Sequence, residues 1–200
     1  GYESGNNTVE GESNTYLGYQ AGKGASGTES FNTAIGKIAL TGITTGQSNI
    51  AIGANAIYQL TTSSNVVAVG VNAGKNINNN DADGTVVIGH DTGEALTSGQ
   101  ANVAIGYQAL SKEDDGDFNT AVGYQALTDQ TGTSGTVGNT AVGYKAGANI
   151  TTGKNNTFLG YLTAVDAQDV DSAVIIGSSA GGANIYLESQ AGNASRVRWN

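Results

Sequence analysis

Residues 119–128 read NTAVGYQALT, and residues 139–148 repeat this stretch almost letter for letter as NTAVGYKAGA. The glycine of this motif recurs along the chain at Gly18, Gly36, Gly53, Gly70, Gly89, Gly106, Gly123, Gly143, Gly160 and Gly177. The intervals are 18, 17, 17, 19, 17, 17, 20, 17 and 17 residues. A disordered segment has no physical reason to keep such a period, whereas stacked structural units must keep it. The sequence therefore predicts a repeat array in which each repeat forms one coil of the chain.

Two columns of branched residues precede the glycines. The residue directly before each glycine is aliphatic, and the residue three positions before it is β-branched. Alternation with a period of two residues predicts a β-strand with one buried face. On this basis we expect the core to be built from Ile35, Ile52, Val69, Ile88, Ile105, Val122, Val142, Leu159 and Ile176. Aspartate at Val122 or Ile105 is then expected to unfold several coils at once.

A column of small residues lies between these two columns, with alanine in most repeats and larger residues at Tyr16, Val87, Phe158 and Ile175. Small side chains there indicate that a second surface approaches closely. The glycine that follows is expected at a corner, where a positive φ or a missing Cβ is required. The predicted corner glycines are Gly36, Gly53, Gly70, Gly106, Gly123, Gly143 and Gly160.

A weaker aliphatic column stands seven residues after the glycine. It contains Ile43, Leu60, Ile77, Leu96 and Ile150, and it is broken by Ala25, Glu113, Gln130 and Ala167. We interpret it as a second short strand that closes each coil, since seventeen residues leave room for two short strands but not for a helix. The predicted fold is an all-β parallel β-solenoid, or β-roll, of about ten 17-residue coils over residues 1–181.

Residues 182–200 depart from the repeat and are expected to form a β-hairpin or connector to a following module. Ile185 and Leu187 alternate opposite Val197 and Trp199, with a turn at residues 190–195 between them. This pattern is typical of a hairpin.

Asparagine and tyrosine also recur in fixed positions. Asparagines four residues before the glycine, at positions 14, 32, 49, 102, 119, 139 and 156, are expected to stack as a ladder in which each bonds the next. Tyr107, Tyr124, Tyr144 and Tyr161 follow the glycine and form a candidate surface-binding strip. Stacked aromatic rings can hold sugar rings, but they can equally cover the corner or pack against a neighbouring chain, and we favour packing.

Composition excludes several classes of function. The formal charge of −9 argues against a nucleic-acid partner, and no apolar stretch approaches the roughly 20 residues that membrane insertion requires. His90 is the only histidine, and no glycine elbow provides a nucleophile for it, so we expect neither an enzyme nor a cofactor. The acidic stretches EDDGD (113–117) and DADG (81–84) lack the spacing of known calcium loops, which favours solvated turns without a metal.

The units NTAVGYQAL (119–127), NIAIGANAI (49–57) and NVAIGYQAL (102–110) resemble the head repeats of trimeric autotransporter adhesins. They resemble even more closely the repeat arrays of bacteriophage tail-fibre proteins. This resemblance covers residues 1–181 and implies a left-handed parallel β-roll, a homotrimer of parallel chains and a role in surface attachment. The adhesin coil is shorter than seventeen residues, so the coil geometry here is expected to differ from it.

The resemblance thus leads us to expect a structural and adhesive segment of a phage tail fibre, located in the virion and extracellular. The expected partners are two further copies of the chain, a glycan or protein receptor on the host cell surface, and other fibre or tail proteins. Two alternatives stay open. One is the head of a bacterial trimeric autotransporter adhesin on the cell surface, and the other is a glycan-processing tailspike with paired carboxylates in its loops.

Overall fold

A computed structural model describes residues 1–7, 10–24, 27–78, 82–131, 134–165 and 168–178, together with the backbone of residues 185–188 and 196–199. These residues form strands but no helix, so none of them contributes a helix able to cross a membrane. The strands are β1 (Thr15–Leu17), β2 (Thr33–Ile35), β3 (Ile50–Ile52), β4 (Val67–Val69), β5 (Val86–Ile88), β6 (Val103–Ile105), β7 (Gly116–Asp117), β8 (Thr120–Val122), β9 (Gly135–Thr136), β10 (Thr140–Val142), β11 (Thr157–Tyr161), β12 (Ala173–Ser178), β13 (Ile185–Glu188) and β14 (Arg196–Trp199).

Ten of these strands form one parallel stack in chain order, from β1 to β12 with β7 and β9 left out. Each strand pairs with the next repeat in register, so that Thr120 lies beside Thr140 and Ala121 beside Ala141. The sequence columns are therefore rows of side chains that run along the stack. This confirms the predicted parallel β-solenoid, which has about nine turns, where about ten were predicted, with about 17 residues per turn.

The strands turn the opposite face inward from the one predicted. The small column is fully buried, as at Ala121 and Ala141, whereas the aliphatic column points out of the coil, and Ile105 and Leu159 are 37% and 45% exposed. The core assignment was therefore wrong for the single chain at Ile35, Ile52, Val69, Ile88, Ile105, Val122, Val142, Leu159 and Ile176, which are half-buried or exposed. Alternation fixes which residues share a face but not which face is inside, and the interior of this thin coil admits mainly alanine at the strand.

The rest of the core comes from the opposite wall of the coil. Its largest buried side chains are Leu40, Ile57, Leu110 and Leu127, four residues after the glycine, and Ile43, Leu60, Ile77, Leu96 and Ile150, seven residues after it. The last set is buried as expected, but it does not form the predicted second strand. This wall is a series of turns in which residues such as Gln125 and Leu127 adopt φ of 52° and 49°. Most described coils therefore have one strand, and a second short strand occurs only in two adjacent coils, where β7 and β9 pair in parallel as a separate two-stranded sheet.

Large and small residues alternate across the core. Three of the four larger residues of the small column, Tyr16, Val87 and Phe158, lie against a glycine that stands four after a corner glycine on the facing wall. A Cβ at Gly93, for example, would lie 2.8 Å from Val87 Cγ1. The fourth, Ile175, has Ala164 at the corresponding position one coil below. A large residue on one wall is thus matched at these three places by a glycine on the other.

The predicted corner glycines are confirmed. Gly36, Gly53, Gly70, Gly106, Gly123, Gly143 and Gly160 have φ between 129° and 138°. A Cβ at Gly36 would lie 2.5 Å from the carbonyl oxygen of Gly53, in the coil above. Glycine is therefore required at these corners both by backbone conformation and by the close approach of the next coil.

The asparagine ladder is present, and its bonds go to the main chain. The backbone N–H of Asn49 donates to Asn32 Oδ1 over 2.9 Å, and Asn49 Nδ2 donates to the Ser63 carbonyl over 2.9 Å. The side-chain oxygen of each such asparagine thus accepts from a backbone N–H of the next coil, and its side-chain nitrogen donates to a backbone carbonyl of that coil. The pairing of the parallel strands does not use these two backbone groups.

The parallel stack ends at β12. The next strand, β13, pairs with β12 in the antiparallel sense, and β14 pairs antiparallel with β13. Ile185 lies opposite Trp199 and Leu187 opposite Val197, which is the predicted hairpin register. The turn predicted at residues 190–195 lies outside the described residues. The same holds for Ala25 and Ala167 of the expected aliphatic column and for Asp81 of the expected acidic loop.

Candidate functional site

The outward side of the parallel stack is the candidate functional surface, and we call it the outer face. It consists of three columns, at three residues before, one before and one after each glycine. The first column contains Thr15, Thr33, Ile50, Val67, Val86, Val103, Thr120, Thr140, Thr157 and Val174. The second contains Leu17 and the nine aliphatic residues corrected above. The third, the tyrosine column, contains Tyr19, Lys37, Ala54, Val71, His90, Tyr107, Tyr124, Tyr144, Tyr161 and Ser178.

The outer face is large for a surface so rich in aliphatic side chains. Nine steps of about 4.8 Å give it a length of about 43 Å. The span of four residues from the first column to the tyrosine column is continuous strand in β11 and β12 and gives a width of up to about 13 Å, for a planar area on the order of 560 Å². The largest apolar patch on an ordinary monomer is roughly 300–600 Å² and is often functional, and the area of the outer face lies at the upper end of this range. A face of this size, with an aliphatic residue on every rung, is typical of a surface that packs against another molecule.

Charge is also distributed in favour of an interface. None of the 17 acidic residues of the chain lies on the outer face, and Lys37 is its only lysine or arginine. The only other basic side chain there is His90. The remainder of a chain with a formal charge of −9 therefore carries the whole negative excess. Depletion of charge is the compositional feature that distinguishes the buried centre of an interface from ordinary surface.

Part of the tyrosine column, from His90 to Tyr161, forms a continuous ring stack. Centroids of Tyr107 and Tyr124 are 5.2 Å apart, those of Tyr124 and Tyr144 are 5.2 Å apart, and those of Tyr144 and Tyr161 are 5.1 Å apart. Interplanar angles are 11–14°, so the inner rings have a neighbour against each face. The column consequently offers ring edges and hydroxyl groups to a partner. The face of a sugar ring has no access to Tyr124 or Tyr144, which supports the packing interpretation of this strip.

His90 belongs to the same ring stack. Its imidazole lies 5.6 Å from the Tyr107 ring with an interplanar angle of 19°, and its Nδ1 is 2.9 Å from Asp91 Oδ2. The histidine side chain is 51% exposed. These contacts account for His90 as a substituted member of the tyrosine column.

The acidic stretch at residues 113–117 is not only a solvated turn. Glu113 is buried inside the coil, where its Oε1 accepts hydrogen bonds from the backbone N–H of Asp114 at 3.1 Å and of Gly116 at 2.8 Å. Its Oε2 has no hydrogen-bond partner among the described residues. Burial raises the pKa of the Glu113 carboxyl. The signal for this burial was its position seven after the glycine, where other coils carry isoleucine or leucine.

Asp114 and Asp115 follow Glu113, and one carboxylate oxygen from each of these three residues lies within 4.8 Å of the others. Asp114 is exposed and Asp115 is half-buried. The structure thus brings three carboxylates together at a loop that the sequence predicted to be metal-free.

The described residues thus present one extended surface, the outer face, whose geometry is that of a docking surface. The sequence singled out its residues but assigned the aliphatic column to the interior. Comparison with models of protein families, with characterised proteins and with solved structures finds no match to this chain.

Proposed function

We propose that this chain is a structural and adhesive segment of a bacteriophage tail fibre, in which three parallel copies pack through their outer faces. The observation that carries the proposal is the outer face itself, a ten-rung aliphatic surface without acidic residues that faces solvent in the single chain. The resemblance of the repeats to those of tail fibres supplies the biological setting. The three-fold number also comes from that resemblance.

A second copy of the same chain is the partner that fits the outer face best. Its rungs have the same spacing of about 4.8 Å, so that aliphatic side chains of two parallel copies stay in phase over the whole length. A partner without this repeat would lose phase after a few rungs. Copies with a formal charge of −9 repel each other, and contact through the acid-free face keeps their carboxylates apart.

The proposed interface is of a suitable size. A stable interface buries about 800 Å² of accessible surface per partner. The planar area of the outer face, on the order of 560 Å², underestimates its accessible surface because the side chains corrugate it. Assembly of this kind would bury the aliphatic column that the single chain leaves half-exposed.

The rod then provides reach and stiffness for attachment to the host. Backbone hydrogen bonds run along it from coil to coil. Of the 25 charged side chains, 22 lie outside the nine-residue motifs, and 16 of these lie in the segments between motifs. Variable loops on a regular scaffold are where binding surfaces commonly lie. We therefore assign contact with a glycan or protein receptor, and with other fibre proteins, to these loops.

Light scattering on the purified chain tests the assembly. Three copies of a 20.1 kDa chain have a mass of about 60 kDa, and a stable 20 kDa species would rule the assembly out. A fluorescently labelled assembly tests the attachment role on two surfaces, a panel of intact bacteria and immobilised extracellular matrix. Binding to bacteria supports the fibre, while binding to matrix alone would favour the adhesin head.

A further inference from the structure

Two columns of the outer face vary together along the stack. In the five rungs whose tyrosine column carries tyrosine, the first column carries threonine four times, and in the other five rungs it carries threonine once. The four threonine and tyrosine pairs on one rung are Thr15 with Tyr19, Thr120 with Tyr124, Thr140 with Tyr144 and Thr157 with Tyr161. There are two exceptions: the rung of Thr33 carries Lys37, and the rung of Tyr107 carries Val103.

Contact within one chain does not explain this coupling. Thr157 and Tyr161 are the first and last residues of the five-residue strand β11. Four residues of strand separate their Cα atoms by about 13 Å. Both side chains lie on the outward side of the strand, at opposite edges of the outer face, and Tyr161 is 51% exposed.

Contact between copies in the proposed assembly would bring the two columns together. Copies related by rotation about the rod axis meet through different edges, so the first column of one copy faces the tyrosine column of the next at the same height. An antiparallel pair would instead place Tyr124 opposite Val67 and Tyr144 opposite Ile50. A threonine hydroxyl and a tyrosine hydroxyl can each donate and accept a hydrogen bond, whereas valine and isoleucine can do neither.

We propose that the threonine of one copy pairs with the tyrosine of the next copy on the same rung, and that these pairs fix the register of the assembly. The inference rests on the proposed packing of copies through the outer face. The aliphatic column carries no register information, because it is aliphatic on all ten rungs and a slip of about 4.8 Å would preserve its packing. Ala54 and Val71 interrupt the tyrosines of the tyrosine column. A slip would move their rungs out of line with the same rungs of the next copy.

Cysteine cross-linking tests the pairing directly, since the native chain has no cysteine. We would combine Thr157→Cys with Tyr161→Cys in the full chain and treat it with a short bis-methanethiosulfonate, which joins two thiols through two disulfides. A direct disulfide is unsuitable, because a threonine and a tyrosine that share a hydroxyl hydrogen bond hold their Cα atoms further apart than the roughly 7 Å that a disulfide spans. A bridge between the two cysteines of one chain would leave a monomer. The expected product is a covalent dimer and trimer ladder on a non-reducing gel, which reductant collapses to monomer. Either single variant should stay monomeric on the same gel.

An offset pair controls for register. Thr157→Cys with Tyr144→Cys joins positions one rung apart and should give less than a tenth of the cross-link. A 60 kDa assembly that cross-links through the offset pair, or through neither pair, would overturn the register proposal while leaving the assembly intact. A 20 kDa species would remove both. If the reduced double variant does not assemble, Thr120→Cys with Tyr124→Cys decides by the same criteria.

Discussion

Phe158 occupies the space that a side chain at Gly147, one coil below, would need: a Cβ at Gly147 would lie 2.6 Å from Phe158 Cδ2. In neighbouring coils the same two positions are filled by alanine and leucine, as at Ala141 and Leu127, which are both fully buried. The space between the two walls of the core is filled either by a large residue on the strand or by a large residue on the facing wall. Moving the large residue from one wall to the other therefore tests this arrangement.

Phe158→Ala alone should cost about 3–5 kcal/mol through the cavity it leaves, and Gly147→Leu alone about 1–3 kcal/mol or more through overpacking. The double variant should recover much of this loss, because Leu127 shows that leucine is accommodated at this position with φ of 49°. Urea unfolding at one fixed protein concentration measures all three. Losses that simply add would show that the two residues do not share a space.

Aspartate should disrupt the fold at one of two adjacent residues and only the assembly at the other. Ala121→Asp places a charge in the closed interior and should abolish the strand signal in circular dichroism. Val122→Asp places it on the outer face, where it should leave that signal in place and reduce the particle from 60 to 20 kDa. Thr152→Asp, at an exposed position outside the outer face, serves as the control and should change neither. Loss of the fold in Val122→Asp would contradict the orientation of the strand.

Asn49 tests the ladder. Asn49→Ala would leave the Val66 N–H and the Ser63 carbonyl without their partner, at about 1–3 kcal/mol for each buried group. Asn49→Thr should cost less, because Thr85 occupies the same position and bonds the Gly99 carbonyl over 3.0 Å. Chemical denaturation of both variants gives the comparison. Equal destabilisation by alanine and threonine would argue against hydrogen bonding as the role of the column.

Glu113 makes stability depend on pH. Since burial raises its pKa in the folded state, the protonated form is favoured there, and its contribution should be lost as pH rises through that raised value. Glu113→Gln should therefore stabilise the chain at neutral pH and lose this advantage below the ordinary pKa of glutamate. Gln130, buried in the same column of the next coil, shows that an amide fits. Melting temperatures of both proteins between pH 3 and pH 8 check this. If burial of the carboxylate had no cost, the difference between the two melting temperatures would stay constant over this pH range.

The repeat period predicted the parallel stack, the corner glycines and the ladder, because each depends on residues that recur in one phase. It did not predict which side of the strand is inside. Val122 and Thr120 are branched and Ala121 is small, and a single thin coil excludes the larger pair from its interior. The branched side chains at these outward positions have no role in the core of the single chain, and packing in an assembly would explain them.

The second wall was misjudged for a different reason. Leu110 and Leu127 have positive φ, a conformation that leucine rarely adopts and that no sequence rule assigns to it. The sequence pattern revealed that Ile43 and Leu60 are buried, but burial alone does not distinguish a strand from a series of turns. The burial of Glu113 was not predicted, because a charged residue was taken to break the aliphatic column in which it stands.

The antiparallel pairing of β13 with β12 has a consequence for how this protein behaves at high concentration. A stack of identical rungs is an open template, on which a strand from another molecule can add in the same direction, as in fibril growth. The reversed strand already occupies the hydrogen-bonding edge of β12, so a further parallel rung cannot be added there. The hairpin thus prevents the series of parallel rungs from continuing past β12.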